Sequence, residues 1–275
     1  MAPTDAVASF EAKWSLAHPE LPLALRFVTP AARPMVSALV CVSLEVGLAT
    51  YGAGEAAVAA SKLQWWAEEL SLMPSGMVRH PLTRVLAESP ALKALPADAW
   101  RTWTDAAFAQ REAAPARGLS ELLAGYRCYY AALVRIESTV YPGQSVESSS
   151  QAGALSRILL ETVRLPESMA AGRLPVPLDL LAGHGISSNA LGSAGPQRDR
   201  VLREHFSALA EAMKSVDRRG LPPILAAGLT ADLRRCRDAA HAENPLECSA
   251  SNLDRLPLSA LWACWRAARR VQPSF

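Results

Sequence analysis

The chain has 275 residues, 50% of them hydrophobic and 20% charged, with a formal net charge of +2 and a mean hydropathy of +0.09. That length supports one large core, and a near-neutral balance without a long basic run argues against nucleic-acid binding by counterion release. The five cysteines, Cys41, Cys128, Cys236, Cys248 and Cys264, form no Cys-x-x-Cys pair, so they read as small buried apolar residues in a reducing compartment rather than as a zinc site.

Residues 1–14 lack a basic segment followed by an apolar one, so no secretory leader is expected and the chain is placed in the cytoplasm. Residues 10–17 predict a short helix, ended by His18-Pro19 and Pro22, and Pro30 and Pro34 punctuate the next connection. Residues 35–49 predict a buried helix with Pro34 near its first turn, although Val36, Val40, Val42 and Val46 also suit a strand. Ser37, Ser43 and Glu45 interrupt this run, which falls short of the roughly 20 apolar residues of a membrane span. Gly52 and Gly54 begin no dinucleotide fingerprint and read as a turn. Residues 55–70, EAAVAASKLQWWAEEL, predict a strong helix with Val58, Leu63, Trp66 and Leu70 among its apolar positions. Trp65 and Trp66 are adjacent, so they point about 100° apart and make no common platform.

Residues 87–99, with Pro90 and Pro96, connect to a helix at 98–111 whose stripe is Trp100, Trp103, Ala107 and Phe108. A long helix follows at 119–139, marked by Leu122, Leu123, Tyr126, Tyr130, Leu133 and Val134. The Ser-rich stretch 141–151, YPGQSVESSSQ, reads as a loop. Leu155, Ile158, Leu159, Thr162 and Val163 then describe one buried helix face up to a break at Pro166. Residues 172–177, GRLPVP, cannot continue a helix because their prolines lack donors and extend the residues before them, so Arg173 is presented where backbone order changes. After a loop at 187–196, an amphipathic helix at 198–218 carries Val201, Leu202, His205, Leu209, Ala212, Met213 and Val216 inward, with a break at Pro222-Pro223. A shorter helix covers 221–238. The closing helix, 256–271, has Leu258, Leu261, Trp262 and Trp265 opposite Arg266, Arg269 and Arg270; this pattern suits docking into the core or, as a peripheral contact, lying on an anionic membrane. With no sustained strand alternation and no repeat of 20 to 50 residues, the pattern is all-α.

Two blocks carry a resemblance. The first runs Lys62-Leu63-Gln64-Trp65-Trp66-Ala67-Glu68-Glu69-Leu70, then Gly76 and His80-Pro81-Leu82; the second is Gly172, Arg173, Pro175, Leu178, Asp179, Leu181, His184 and Gly185. In order and spacing they resemble the squalene/phytoene synthase family. The resemblance implies an isoprenoid synthase-like helical bundle around an apolar cavity, as one domain over residues 1–275. The family's second signature also has two aspartates four residues apart. Counted back from Gly172-Arg173, these fall on Arg164 and Ser168, and the helix asparagine ahead of them on Leu160. The first signature falls on SLEVGLA, where Glu45 is the only acid and Ala49 stands four residues on. Residues four apart share a helix face, which is how paired aspartates hold Mg²⁺ against a diphosphate. Arg164 cannot ligate a cation, and Glu167 is rotated about 100° from the required face.

The resemblance therefore implies two functions. One is a catalytically degenerate member that takes no cofactor and binds an isoprenoid or lipid, or acts as a protein partner or assembly factor. The other is a Mg²⁺-dependent transferase joining two prenyl diphosphates head to head, its metals held by Glu45, Glu68, Glu69 or Glu167. No residue is assigned a catalytic role. Lys62, His80 and Arg173 are the candidates for a cationic rim around a phosphate, and Tyr126 and Arg135 for groups facing the cavity, beside the plainer readings of surface charge and core packing. An unrelated helical interaction protein would have no central apolar cavity.

Overall fold

The computed structural model describes residues 3–52 and 54–273; Met1 and Ala2 of the segment read for a leader lie outside that range. The described residues contain no strand. The helices are α1 (Pro3–Ser15), α2 (Glu20–Leu25), α3 (Arg33–Tyr51), α4 (Ala56–Ser71), α5 (Pro81–Ala87), α6 (Pro90–Lys93), α7 (Ala97–Arg111), α8 (Leu119–Glu137) and α9 (Val146–Val163), followed by α10 (Leu165–Ala170), α11 (Leu178–Gly183), α12 (Ser188–Leu191), α13 (Pro196–Lys214), α14 (Pro223–His241), α15 (Pro245–Ala250) and α16 (Leu258–Ala268), with one 3-10 turn at Met73–Ser75. The chain's 20 prolines are compatible with so much helix because many of them start one: α3, α5, α6, α10, α13, α14 and α15 each carry a proline in the first turn, where its missing donor costs nothing.

The buried centre is built on α3, which packs against α1, α4, α5 and α7, while α8 lies along α9 and α9 meets α13 and α14. By length and apolarity α3 alone, among the described helices, would suffice to cross a membrane, but most of its residues are buried inside the protein. The all-α expectation and the helical reading of residues 35–49 agree with this arrangement. One apolar cluster runs through the bundle, with Leu39, Val42, Leu63, Leu86, Trp100, Trp103, Leu155, Ile158, Phe206 and Leu209 at its centre. Gly153 sets the distance between α8 and α9: a Cβ there would lie 2.4 Å from the Tyr130 ring.

Two sequence readings are corrected. The Ser-rich stretch expected as a loop is mostly the first turns of α9. The Ser145 hydroxyl accepts from the Ser148 amide at 3.2 Å, and Ser148, Ser149 and Ser150 are buried as small side chains between helices. The closing helix docks through its small residues, Ala260, Cys264, Ala267 and Ala268, and turns Leu258, Leu261 and Trp262 outward. Small residues let α16 lie close on α14, and that contact decides which face is covered.

Candidate functional site

A cavity of about 180 Å³ opens between α3, α8, α9 and α14. From α3 it is lined by Val36, Leu39, Val40, Ser43, Leu44 and Gly47; from α8 by Tyr129, Tyr130, Leu133, Val134 and Glu137; from α9 by Gly153, Ser156, Arg157 and Leu160; and from α14 by Ile224, Leu225, Gly228 and Leu229, among others. Val36 and Gly47 are eleven positions apart on one helix, which makes the space about 16 Å long.

His18, Glu20, Asp232 and Arg235 also border the cavity, and at the Gly47 end the lining is again polar. The Arg157 guanidinium lies 4.5 Å over the Tyr51 ring, and its Nε donates to the Tyr130 hydroxyl at 3.3 Å. Because Gly47 has no side chain, Arg157 Nη2 and the Tyr129 hydroxyl converge there, 3.4 and 3.9 Å from the point where a Cβ would stand. The hydroxyls of Tyr129 and Tyr51 are buried without a hydrogen-bond partner. Burial also pushes both phenols well above their usual range, so Tyr129 stays a neutral donor. Tyr126 stacks on Tyr51 at 5.8 Å, behind this wall.

Behind the tyrosines sits the charged network that holds Arg173. Gly172, at φ +76°, turns the chain so that Arg173 runs back into the protein. Its Nε donates to Glu161 Oε2 at 2.8 Å, and its Nη2 donates to the Tyr51 carbonyl. The Ser168 hydroxyl donates to the same Glu161 oxygen at 3.1 Å, and Arg157 stands 4.0 Å from the other. Arg111 donates to the Ala49 and Thr50 carbonyls at 2.9 and 3.3 Å. Two guanidiniums thus close the C-terminus of α3, where three carbonyls would otherwise lack partners. Arg157 and Arg173 share one carboxylate, Glu161, and Arg111 feels the charge of Arg173.

The residues singled out in the sequence are dispersed. Lys62 and Arg135 are exposed, and neither lines the cavity. His80 caps α5, its Nδ1 accepting from the Leu82 amide at 3.3 Å, and packs among Phe10, Trp65 and Trp66. Arg173 is buried in its ion pair and borders no open surface, so the three cations share no rim. Tyr126 is core.

The four glutamates are dispersed as well. Glu45 turns to α1, accepting from Lys13 and, at 3.0 Å, from Trp14 Nε1. Glu68 is on the surface, with Gln64 at 3.1 Å. Glu69 is fully buried and accepts from the Arg79 and His80 amides at 2.6 and 2.7 Å and from the Thr83 hydroxyl at 2.6 Å, fixing the first turn of α5. Burial opposes its charge, but the hydrogen bonds from Thr83, His80 and Arg79 prevail and hold the carboxyl below its usual range. Glu167 is exposed. Among the described residues no three His, Cys, Asp or Glu side chains gather as an ion site. These residues do not fit a Mg²⁺ cluster bound to diphosphate.

The sequence reading did not single out Arg157, Tyr129 and Gly47, which form the polar end of the cavity, or Glu161. Arg157 and Glu161, four apart on a helix, have the spacing of a surface ion pair, and only their burial separates them from one.

No family model matches the chain, and no curated protein does. Solved structures do. The squalene synthase HpnC from Alicyclobacillus acidocaldarius superposes with a TM-score of 0.63 over 90% of this chain and 93% of its own, at 16% identity. A dehydrosqualene synthase in complex with ligand gives 0.65 over 86% and 87%, at 12% identity. The fold is that of the isoprenoid synthases.

Proposed function

We propose that this chain is a squalene/phytoene synthase-like protein that has lost the metal-dependent step and binds one isoprenoid or related lipid chain, its anionic head against Arg157 and Tyr129. One observation carries the reading: a largely apolar space about 16 Å long ends at a guanidinium that shares its carboxylate, Glu161, with Arg173. Glu161 is committed to Arg173, and Arg111 adds a further positive charge. Burying unpaired charge is costly, and an anionic ligand with an apolar tail offsets that cost while filling the space. Arg157 replaces what a metal would do for binding. It does not replace the metal in catalysis, since departure of a diphosphate needs strong, preorganised stabilisation of the developing charge. The likeness to squalene and dehydrosqualene synthases supports a prenyl chain over other tails.

The test has two parts. Purified protein is extracted and its organic phase examined for lipid; it is also incubated with farnesyl diphosphate and Mg²⁺ and assayed for diphosphate. The reading expects a bound lipid and no diphosphate release above the blank. Mg²⁺-dependent release that disappears in Glu45→Ala would assign the chain instead to the head-to-head transferases. A protein that binds neither extracted lipid nor added farnesyl diphosphate would sink both readings.

A further inference from the structure

On α16 the apolar residues that the sequence suggested for the core face solvent: Leu258 is 86%, Trp262 57% and Leu261 46% exposed. The helix is nevertheless held firmly, because its opposite face of Ala260, Cys264, Ala267 and Ala268 is buried against the bundle. The fold thus displays a large apolar ridge on a rigid support. Trp262 and Trp265 stack at 4.7 Å, and the Arg269 guanidinium lies 5.0 Å over the Trp265 ring.

Cations flank that ridge. Arg218, Arg266 and Arg270 line one groove with Trp262, and Arg218 feels the charges of Arg266 and Arg237. Among the described residues, none of Arg218, Arg237, Arg266, Arg269 and Arg270 is in an ion pair, whereas neighbouring Arg234 and Arg235 are paired with Asp238 and Asp232. Four of the unpaired arginines, Arg218, Arg266, Arg269 and Arg270, lie on or beside α16. The acid nearest to α16 in sequence, Asp254, precedes it by four residues, while Asp217 and Asp238 adjoin Arg218 and Arg237.

We infer that the outward face of α16, with the arginines beside it, docks onto an anionic lipid bilayer. Leucine and tryptophan on one side with arginine at the edge is the composition of a helix lying in the membrane interface: the apolar side chains enter the acyl boundary, and the guanidiniums reach lipid phosphates. Charge complementarity selects the anionic surface, since α16 itself carries no acid and its flanking cations are Arg266, Arg269 and Arg270. The inference does not depend on what fills the cavity.

The experiment is co-sedimentation of the full chain with vesicles of about 30% phosphatidylserine in phosphatidylcholine, compared with phosphatidylcholine alone. The expected result is binding to the mixed vesicles only, weakened in about 0.5 M NaCl. The triple variant Leu258→Ser/Leu261→Ser/Trp262→Ser alters exposed positions and keeps the helical circular dichroism. It should bind at least about tenfold more weakly, and Arg266→Gln/Arg270→Gln should lose the preference for phosphatidylserine. Equal binding of the wild type and a folded triple variant would overturn the inference. So would a failure to bind mixed vesicles combined with a dimer that the triple variant dissolves, which would assign the ridge to a second copy of the chain.

Discussion

Substituting Glu161 with glutamine tests the network behind the cavity most directly. The carboxylate is 4% exposed, receives Arg173 Nε at 2.8 Å and the Ser168 hydroxyl at 3.1 Å, and stands 4.0 Å from Arg157. Glutamine has the same shape, so no void opens. What is lost is the charge, leaving the buried Arg173 and the half-buried Arg157 without their shared counter-ion. Breaking one side of a buried pair costs roughly 3–5 kcal/mol. For a chain of this size that corresponds to a fall in melting temperature of roughly 6–20 °C. Urea unfolding at pH 7, followed by circular dichroism, measures it. A cycle adding Arg173→Met separates charge from packing: with both partners gone, the double variant should be more stable than the sum of the single losses by at least about 1 kcal/mol. A loss below about 1 kcal/mol in Glu161→Gln, or strict additivity in the cycle, would refute the view that this carboxylate neutralises a cationic cluster.

Two further outcomes follow from buried carboxyls. Glu69→Ala removes the acceptor for two amides and a hydroxyl at the start of α5 and should cost roughly 2–4 kcal/mol, read by thermal unfolding; a surface charge would cost almost nothing. Glu137 projects into the cavity wall, where burial, partly offset by a hydrogen bond from Gln144, raises its carboxyl from 4.5 to about 7. Between those values the unfolded chain releases the proton and the folded chain keeps it, so wild-type stability falls as pH rises from 4.5 to 7. Glu137→Gln abolishes that slope. Its advantage over wild type should grow across this window by up to about 3 kcal/mol and then level off, and an advantage independent of pH would refute the assignment.

The helices were legible in the sequence wherever one apolar stripe met one core. Trp100, Trp103 and Ala107 fix α7, and Leu155, Ile158 and Leu159 fix α9, because a period of 3.6 has to be buried somewhere. Legibility failed where small residues did the packing. Ser148, Ser149 and Ser150 look like a loop by composition, yet their size lets α9 approach its neighbours, and in α16 alanine and cysteine were covered while leucine and tryptophan were left outside. The candidate site failed for a related reason. Whether Glu69 is a surface charge or a buried anchor depends on the turn that brings the Arg79 and His80 amides over it, ten and eleven residues away. Arg173 depends in the same way on Gly172 and on Glu161, twelve residues back.

The placement of Arg173 also separates two meanings of a recognisable motif. Together with Arg111 it closes the carbonyl end of α3, and it balances the charge of Glu161, so the Gly172-Arg173 pair has a structural role that needs no ligand. Glu69 and His80, from the other recognisable block, are likewise spent on the first turn of α5. Glu69, His80, Gly172 and Arg173, which carry part of the resemblance, therefore serve the scaffold, and a demand for stability alone is enough to keep them. The residues at the polar end of the cavity, Gly47, Tyr129 and Arg157, belong to neither block. Substitutions in the cavity lining on α3, α8 and α9 therefore leave both blocks in place.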